Sequence, residues 1–257
     1  MKEKFYLSEC LIIRDENQYL VEHLTKGIQS GIEHFYIYDN ISETGVEDFL
    51  KDYPELQNKC TIERFASTER TQYDCYKKFL KDHKEESKWV AFIDTDEMFE
   101  GNLLNYCKRH EDIICLRFQQ VMHGANGQAY ADYSKTLTER FQDHIITQFF
   151  YYKCVVQPKY VLVQLPHFSY IHSKDIPMQK WMMNVGMLDQ TCQLHHYFFK
   201  SFEEWLKKSL RGNVLSVKGH KIANFFHENK ISDRDRDALL KKYNVSLDDV
   251  MGYQERR

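Results

Sequence analysis

WVAFIDTDEMF, residues 89–99, decides how the chain is read. Trp89 to Ile93 run apolar without a break into Asp94-Thr95-Asp96-Glu97. A short, wholly apolar run of this kind fits a strand buried on both faces, as in a parallel sheet covered by helices. The acids then fall where the strand leaves the sheet. On an extended chain an Asp-x-Asp places its two carboxylates on the same side, about 7 Å apart at the backbone. That spacing suits a hard divalent cation, Mg2+ or Mn2+, whose open positions can hold a nucleotide diphosphate through its phosphate oxygens. The alternative is that Asp94, Asp96 and Glu97 cap a helix starting near Met98.

Working outward, FYLSECLII (5–13) and HFYIYD (34–39) are strand-like, and TIERFA (61–66) is a third such run. Between them lie segments of helical period: Glu16 to Ser30, with Tyr19, Leu20, Leu24 and Ile28 on one face, then VEDFLKDY (46–53) and Glu69 to Lys84. Strands alternating with helices predict a mainly parallel sheet covered on both faces, with ligands bound beyond the carboxyl ends of the strands. Those ends read Arg14-Asp15-Glu16, Asp39-Asn40 and Asp94-Thr95-Asp96-Glu97, and they should converge on one rim. After IICLRFQQ (113–120) the pattern changes. Gly124, Asn126 and Gly127 break a segment without apolar period, 121–138, which is expected to be a mobile lid, and the strand-like ITQFFYYKCVV and KYVLVQL follow without helices between them. SFEEWLKKSLRG (201–212) predicts a helix with Ser201 as N-cap, Glu204 completing a capping box and Gly212 as stop. ISDRDRDALLKKYN predicts a last capped helix. The expected organisation is α/β: a nucleotide-binding half at 1–120, a mixed or antiparallel half of the same domain at 121–218, and a helical tail at 219–257.

Composition bounds the rest. With 42% hydrophobic and 14% aromatic residues in 257, and only ten Gly and four Pro, the chain is neither disordered nor of low complexity. A net charge of -3 gives no general attraction for nucleic acid. Seven widely spaced Cys without a C-x-x-C pair read as buried thiols in a reducing compartment. No stretch approaches the roughly 18 apolar residues that span a bilayer, and no signal peptide is evident, so a cytoplasmic chain is expected.

At the other strand ends each polar residue has two readings. Asp39 either contacts a nucleotide base or closes an Asx-turn with Asn40; Arg14 either clamps a phosphate or pairs with Asp15 or Glu16. His196 can complete a metal shell or be a satisfied buried imidazole, while Lys200 and Arg211 can neutralise a leaving diphosphate.

Several of these segments, taken in order, resemble glycosyltransferase family 92 and the wider family-2-like group. They are IIRDENQYLVEHLTKGIQSGIEHFYIYDNIS, KWVAFIDTDEMF, GANGQ followed by TERF, YKCVVQPKYV, and HHYFFKSFEEWLKKSLRG, over roughly residues 7–212. The resemblance implies a GT-A fold, a nucleotide-sugar donor that is usually UDP-linked, a divalent metal (Mn2+ or Mg2+), and inversion at the anomeric carbon, with galactose favoured. By position it implies Asp94, Asp96 and His196 as metal ligands. Asp39, Lys153 and Lys200 match its strand-two acid, its Lys-Cys-hydrophobic strand and its Lys-Ser pair, so that with Arg14, Glu16 and Arg211 from the residue reading the nucleotide sugar is expected at Arg14, Glu16, Asp39, Asp94, Lys153, Lys200 and Arg211. Glu139 and Arg140 match its Glu-Arg-Phe element. Arg14-Asp15-Glu16 departs from the Lys-Asn-Glu more usual in relatives, and an N-terminal anchor of the eukaryotic kind is not expected.

An inverting transfer also needs a carboxylate to deprotonate the acceptor hydroxyl. Asp189, Glu139 and Asp143 are candidates, with Asp189 placed first by its order between the Asp-x-Asp and His196. The acceptor is expected to be a glycan of surface polysaccharide or lipooligosaccharide synthesis, stacked on Phe149, Tyr151, Trp181, Tyr197 or Trp205. A peripheral membrane contact through basic and apolar residues of 219–257, Leu239 and Leu240 among them, has an ordinary packed helix as its alternative. Two rivals are a nucleotidyltransferase acting on sugar phosphates, which would want a Gly-rich loop that LIIRDENQYL lacks, and a non-catalytic carbohydrate-binding module built on QFFYYK.

Overall fold

A computed structural model describes residues 3–67, 70–142, 151–211 and 229–246. The chain forms two compact units, Met1–Val121 with Thr147–His196, and Met122–Ile146 with Tyr197–Arg257.

The first unit begins β1 (Phe5–Ile13), α1 (Asn17–Ser30), β2 (His34–Asp39), α2 (Val46–Leu50), α3 (Pro54–Gln57), β3 (Cys60–Arg64), α4 (Thr71–Asp82) and β4 (Ser87–Phe92). β1, β2, β3 and β4 are parallel neighbours in the order β3-β2-β1-β4. Side chains alternate across this sheet with period two. Leu11, Phe35, Ile37, Trp89 and Ala91 face one core with Leu20 and Leu24 of α1. Cys10, Tyr36, Tyr38, Val90 and Phe92 face the other, with Tyr76 and Phe79 of α4. Helices on both faces are why these strands read as nearly continuous apolar runs.

The remaining elements of this unit are β5 (Glu97–Gly101), α5 (Leu103–Arg109), β6 (Cys115–Met122), β7 (Tyr152–Val156), β8 (Val161–Leu165), β9 (Phe168–Ile171), β10 (Met182–Val185) and β11 (Cys192–His196). Among the described residues the sheet continues past β4 through β7, β6, β11 and β5, with β7 antiparallel to both β4 and β6. β5 and β11 are antiparallel, while β8 and β9 form a separate hairpin. The α/β class with a mainly parallel first half and an antiparallel second half is therefore as the sequence predicts.

One local expectation fails. β4 ends at Phe92, and the Glu97 N–H donates to the Asp94 carbonyl at 2.9 Å, so Asp94 to Glu97 is a turn rather than an extended chain. No helix starts near Met98 either. Met98 and Phe99 are buried in β5, paired with His195 and Leu194 of β11, and that packing outweighs the capping acids. At the end of β5, Gly101 has φ 97°, and a Cβ there would stand 2.4 Å from the Thr191 carbonyl oxygen. Only glycine allows this reversal against β11.

The second unit holds α6 (Leu137–Arg140), α7 (Phe202–Arg211) and α8 (Asp233–Lys242) around a core of Ala125, Ala129, Phe202, Trp205, Leu206, Leu239 and Leu240. The capping box predicted for α7 is present, with the Ser201 Oγ–H and N–H donating to Glu204 and the Glu204 N–H to Ser201 Oγ. The segment expected as a mobile lid is tied down. Its Ala125 N–H donates to Asn229 Oδ1 at 2.5 Å and its Ala131 N–H to Glu203 Oε2 at 3.0 Å, while Ala125 and Ala129 are buried. Leu239 and Leu240 belong to the core of this unit, as the packed-helix alternative requires, and are not available to a membrane. No helix among the described residues is long and apolar enough to cross one.

Candidate active site

The strand ends do meet. The Asn40 N–H donates to the Ile13 carbonyl at 2.8 Å and the Asp15 N–H to Ser42 Oγ at 3.0 Å, joining β1 to the loop after β2. The Thr95 hydroxyl donates to Glu16 Oε2, joining β1 to the turn after β4. Around that turn stands a cluster of charges. Lys153 on β7, a side chain only 1% exposed, places Nζ 2.7 Å from Asp94 Oδ2 and 3.3 Å from Glu97 Oε2. Gln72 of α4 donates to Asp94 Oδ1 at 2.7 Å, and Gln120 of β6 donates to Glu97 Oε1. The Asp94 N–H also donates to Glu97 Oε2 at 2.9 Å.

Because Glu97 and His196 are register partners on β5 and β11, the imidazole is delivered to the same place. Its Nε2 is 3.6 Å from Asp96 Oδ1 and its Nδ1 is 3.5 Å from Glu97 Oε1. Behind the cluster, Glu9 of β1 and His23 of α1 form a buried pair.

These surroundings set the protonation states. Burial pushes the Asp94 carboxyl up, but the Lys153 ammonium outweighs it and holds the group below the usual carboxylate range. For Glu97, without solvent contact, burial prevails over Lys153 and the pKa is raised. Burial pushes Lys153 down, yet Asp94 and Glu97 together raise it, so it stays a cation. His23 is raised in the same way, with Glu9 overcoming burial.

The residues fit a small divalent cation in part. Two ligands about 2.1 Å from one ion at right angles stand about 3 Å apart, so Asp96 and His196 need only a small closure from 3.6 Å. Asp94 is the more open acid, its side chain 35% exposed, but both its oxygens already accept protein hydrogen bonds. Among the described residues no three His, Cys, Asp or Glu side chains stand together at metal-holding spacing. An ion here would have two protein ligands, with its other positions left to ligand oxygens and water.

The other predicted residues are placed as follows. Asp39 is buried and closes its own loop: Oδ1 accepts the Ser42 N–H at 2.8 Å, and Oδ2 accepts from the Val46 N–H and from Arg64 at 3.0 Å. Arg14 is exposed, its Nε 3.8 Å from Asp15. Asp189 is not brought to the cluster. It lies beyond Cys192, at the end of the β5–β11 ladder opposite His196, about 13 Å or more along the strand. There it accepts hydrogen bonds from Tyr106 and Thr191, and those from Thr191 are the main reason its pKa is lowered, which weakens it as a base.

In the second unit Glu139 is exposed and serves as the capping-box acid of α6 with Thr136. Arg140 makes a buried two-pronged contact with Glu204 at 2.8 and 2.9 Å. Lys200 is buried with φ 54°, and the Arg211 side chain, like Asp143 and Phe149, lies outside the described residues. Of the other aromatics proposed for stacking, Tyr151 is exposed and Trp181 half-buried, whereas Tyr197 and Trp205 are buried.

Residues 10–229 match the family model of Glycosyltransferase family 92, which is most of the chain. The protein therefore belongs to glycosyltransferase family 92, and its sheet has the GT-A organisation that membership implies. A glycosyltransferase family 92 protein of Ricinus communis is 27% identical over 107 residues, 42% of this chain and 17% of that protein, so the chain matches only a small part of its relative's length. Among solved structures, S. aureus TarS aligns over 93% of this chain and 43% of its own, with 12% identity and a TM-score of 0.45. GalNAc-T7, solved with UDP, GalNAc and Mn2+, aligns over 75% of this chain and 43% of its own, with 10% identity and a TM-score of 0.46.

Proposed function

We propose that the protein is an inverting glycosyltransferase that moves a sugar, with galactose favoured, from a UDP-sugar to a hydroxyl of a glycan acceptor at the cytoplasmic face of surface-polysaccharide or lipooligosaccharide synthesis. The observation that carries this reading is the meeting of the Asp94–Glu97 turn, Lys153 and His196 beyond the carboxyl ends of β1 and β4 in a family 92 chain. Bound Mn2+ or Mg2+ would supply neutralisation of the leaving diphosphate. Asp96 and His196 would hold it. Lys153 keeps Asp94 ionised and fixed by a charge-assisted hydrogen bond, so the carboxylate facing solvent does not have to reorganise during transfer. Gln120 and Lys153 fix Glu97, and the Glu97 carboxylate faces the second nitrogen of His196, orienting the ring.

The test is a panel of UDP-hexoses incubated with the protein, Mn2+ and either a free or a lipid-linked oligosaccharide, with UDP release and product configuration followed by NMR. Release of UDP with formation of an inverted glycoside supports the reading. No turnover with any UDP-hexose refutes the donor class, and a retained configuration refutes inversion.

A further inference from the structure

The β8–β9 hairpin pairs Leu165 with Phe168, so Pro166 and His167 alone form its tip. His167 is exposed, and its Nδ1 stands 3.0 Å from the carbonyl oxygen of Tyr152. A carbonyl can only accept. Nδ1 therefore carries the proton, and Nε2 presents a lone pair that no other described residue engages. The ring of Tyr151 packs beside the imidazole with centroids 5.5 Å apart.

The tip stands beside the strand that carries the lysine of the candidate site. Tyr152 is followed in β7 by Lys153, whose ammonium grips Asp94 and Glu97. The titratable groups that act on the imidazole are Lys153 from β7, Asp94 from the turn after β4 and His196 from β11. Desolvation first, then Lys153 and His196, hold its pKa below the ordinary histidine value, against the Tyr152 carbonyl and Asp94. At neutral pH the ring is uncharged. A metal-ligand role is disfavoured, since no three ligand-type side chains among the described residues share metal-holding spacing.

We infer that His167 is the general base of the transfer, with Nε2 taking the proton of the acceptor hydroxyl. As that oxygen bonds to the anomeric carbon, the bond from the carbon to the diphosphate oxygen breaks and its electron pair leaves on UDP. The imidazolium then returns its proton to water. This inference rests on the transfer reading above and fills the role that Asp189, fixed at the far end of the β5–β11 ladder, does not meet. A side chain at a hairpin tip, bonded to its neighbour strand by one nitrogen and bare at the other, has the fixed tautomer and the available lone pair that a general base uses.

The experiment compares wild type with His167→Gln and His167→Ala. UDP binding with Mn2+ is measured by calorimetry, and UDP release from UDP-galactose is followed from pH 5 to 8 with water as acceptor. Both variants should bind UDP within about threefold of wild type, because the base does not touch the nucleotide. Their kcat should fall by about 100-fold or more, with KM little changed. The wild-type rate should decline on the acid side at a pH below the ordinary histidine value, and the variants should lack that limb. NMR of 15N-histidine-labelled wild type should show His167 protonated at Nδ1 and bare at Nε2 at pH 7. A variant that retains kcat and the acid limb, or an Nε2 found protonated at pH 7, overturns the inference while leaving the transfer reading intact. Wild type that neither binds UDP nor releases it overturns both together.

Discussion

Lys153→Met removes one cation from between two carboxylates, and the geometry sets the size of its effect. The ammonium is 1% exposed and faces Asp94 at 2.7 Å and Glu97 at 3.3 Å. Methionine fills much of the same volume, so the loss is electrostatic rather than a cavity. Asp94, one third exposed, can turn to water; Glu97, with no exposure, cannot. Glu97 keeps the hydrogen bonds from Gln120 and from the Asp94 N–H but loses its counter-charge. Breaking a buried pair by removing one partner costs about 3–5 kcal/mol, equivalent to roughly 150- to 5,000-fold in the folding equilibrium.

The pH dependence has a definite sign. Burial already raises the Glu97 pKa against the pull of Lys153, so without the lysine it rises further. The penalty is full where Glu97 must be ionised and shrinks as pH falls and the acid becomes neutral. Urea unfolding of wild type, Lys153→Met and Lys153→Met/Glu97→Gln at pH 8 and pH 5 measures this. The single variant should be less stable at both values, with the smaller gap at pH 5, and the double variant should recover part of the loss. A single variant within about 1 kcal/mol of wild type at pH 8, or a gap that widens at pH 5, would refute the reasoning.

Three further outcomes are expected. Glu203, buried but bonded by Lys242, Tyr243 and the Ala131 N–H, is pulled down to about 2; its contribution is present above the unfolded value of about 4.3 and lost as pH falls towards 2, so Glu203→Gln should remove about 3 kcal/mol of acid-dependent stability seen in wild-type urea curves. Gly101→Ala forces a Cβ to 2.4 Å from the Thr191 carbonyl at a φ of 97° and should lower stability by about 1–3 kcal/mol; a melting temperature equal to wild type would mean the β5–β11 reversal is not constrained. The amides of Ala125, Gln128 and Ala131, all donors to described partners, should exchange slowly without any ligand, and fast exchange throughout 121–138 would restore the lid.

Much of the fold was legible because its first half is built from locally consistent signals. β1 and β2 fall where FYLSECLII and HFYIYD predict them, since strands covered on both faces show as apolar runs. β5 was hidden: Asp94, Asp96 and Glu97 resemble the acids of a helix start, and only pairing with β11 about a hundred residues on makes Met98 and Phe99 a strand. The site was half legible. The acids and His196 stand out as residue types, but the buried role of Lys153 depends on β7 lying antiparallel beside β4, which no local pattern encodes. Glu139 is the opposite case. Thr136-Leu137-Thr138-Glu139 spells a capping box, a signal that would have assigned the acid to α6 rather than to catalysis. His167 carries no periodic signal at all, and only the hairpin brings it to Tyr152.

The central claim is that Asp96 and His196, backed by Glu97 and Lys153, hold a cation through which a nucleotide diphosphate binds. Calorimetric titration of UDP into wild type and Asp96→Asn, each with and without Mn2+, tests it most directly. Wild type should bind UDP only with the metal, because the uncompensated carboxylates repel the diphosphate, and Asp96→Asn should lose about tenfold or more of that affinity with an unchanged melting temperature. Equally tight UDP binding without metal, or full metal-dependent binding by Asp96→Asn, would contradict it.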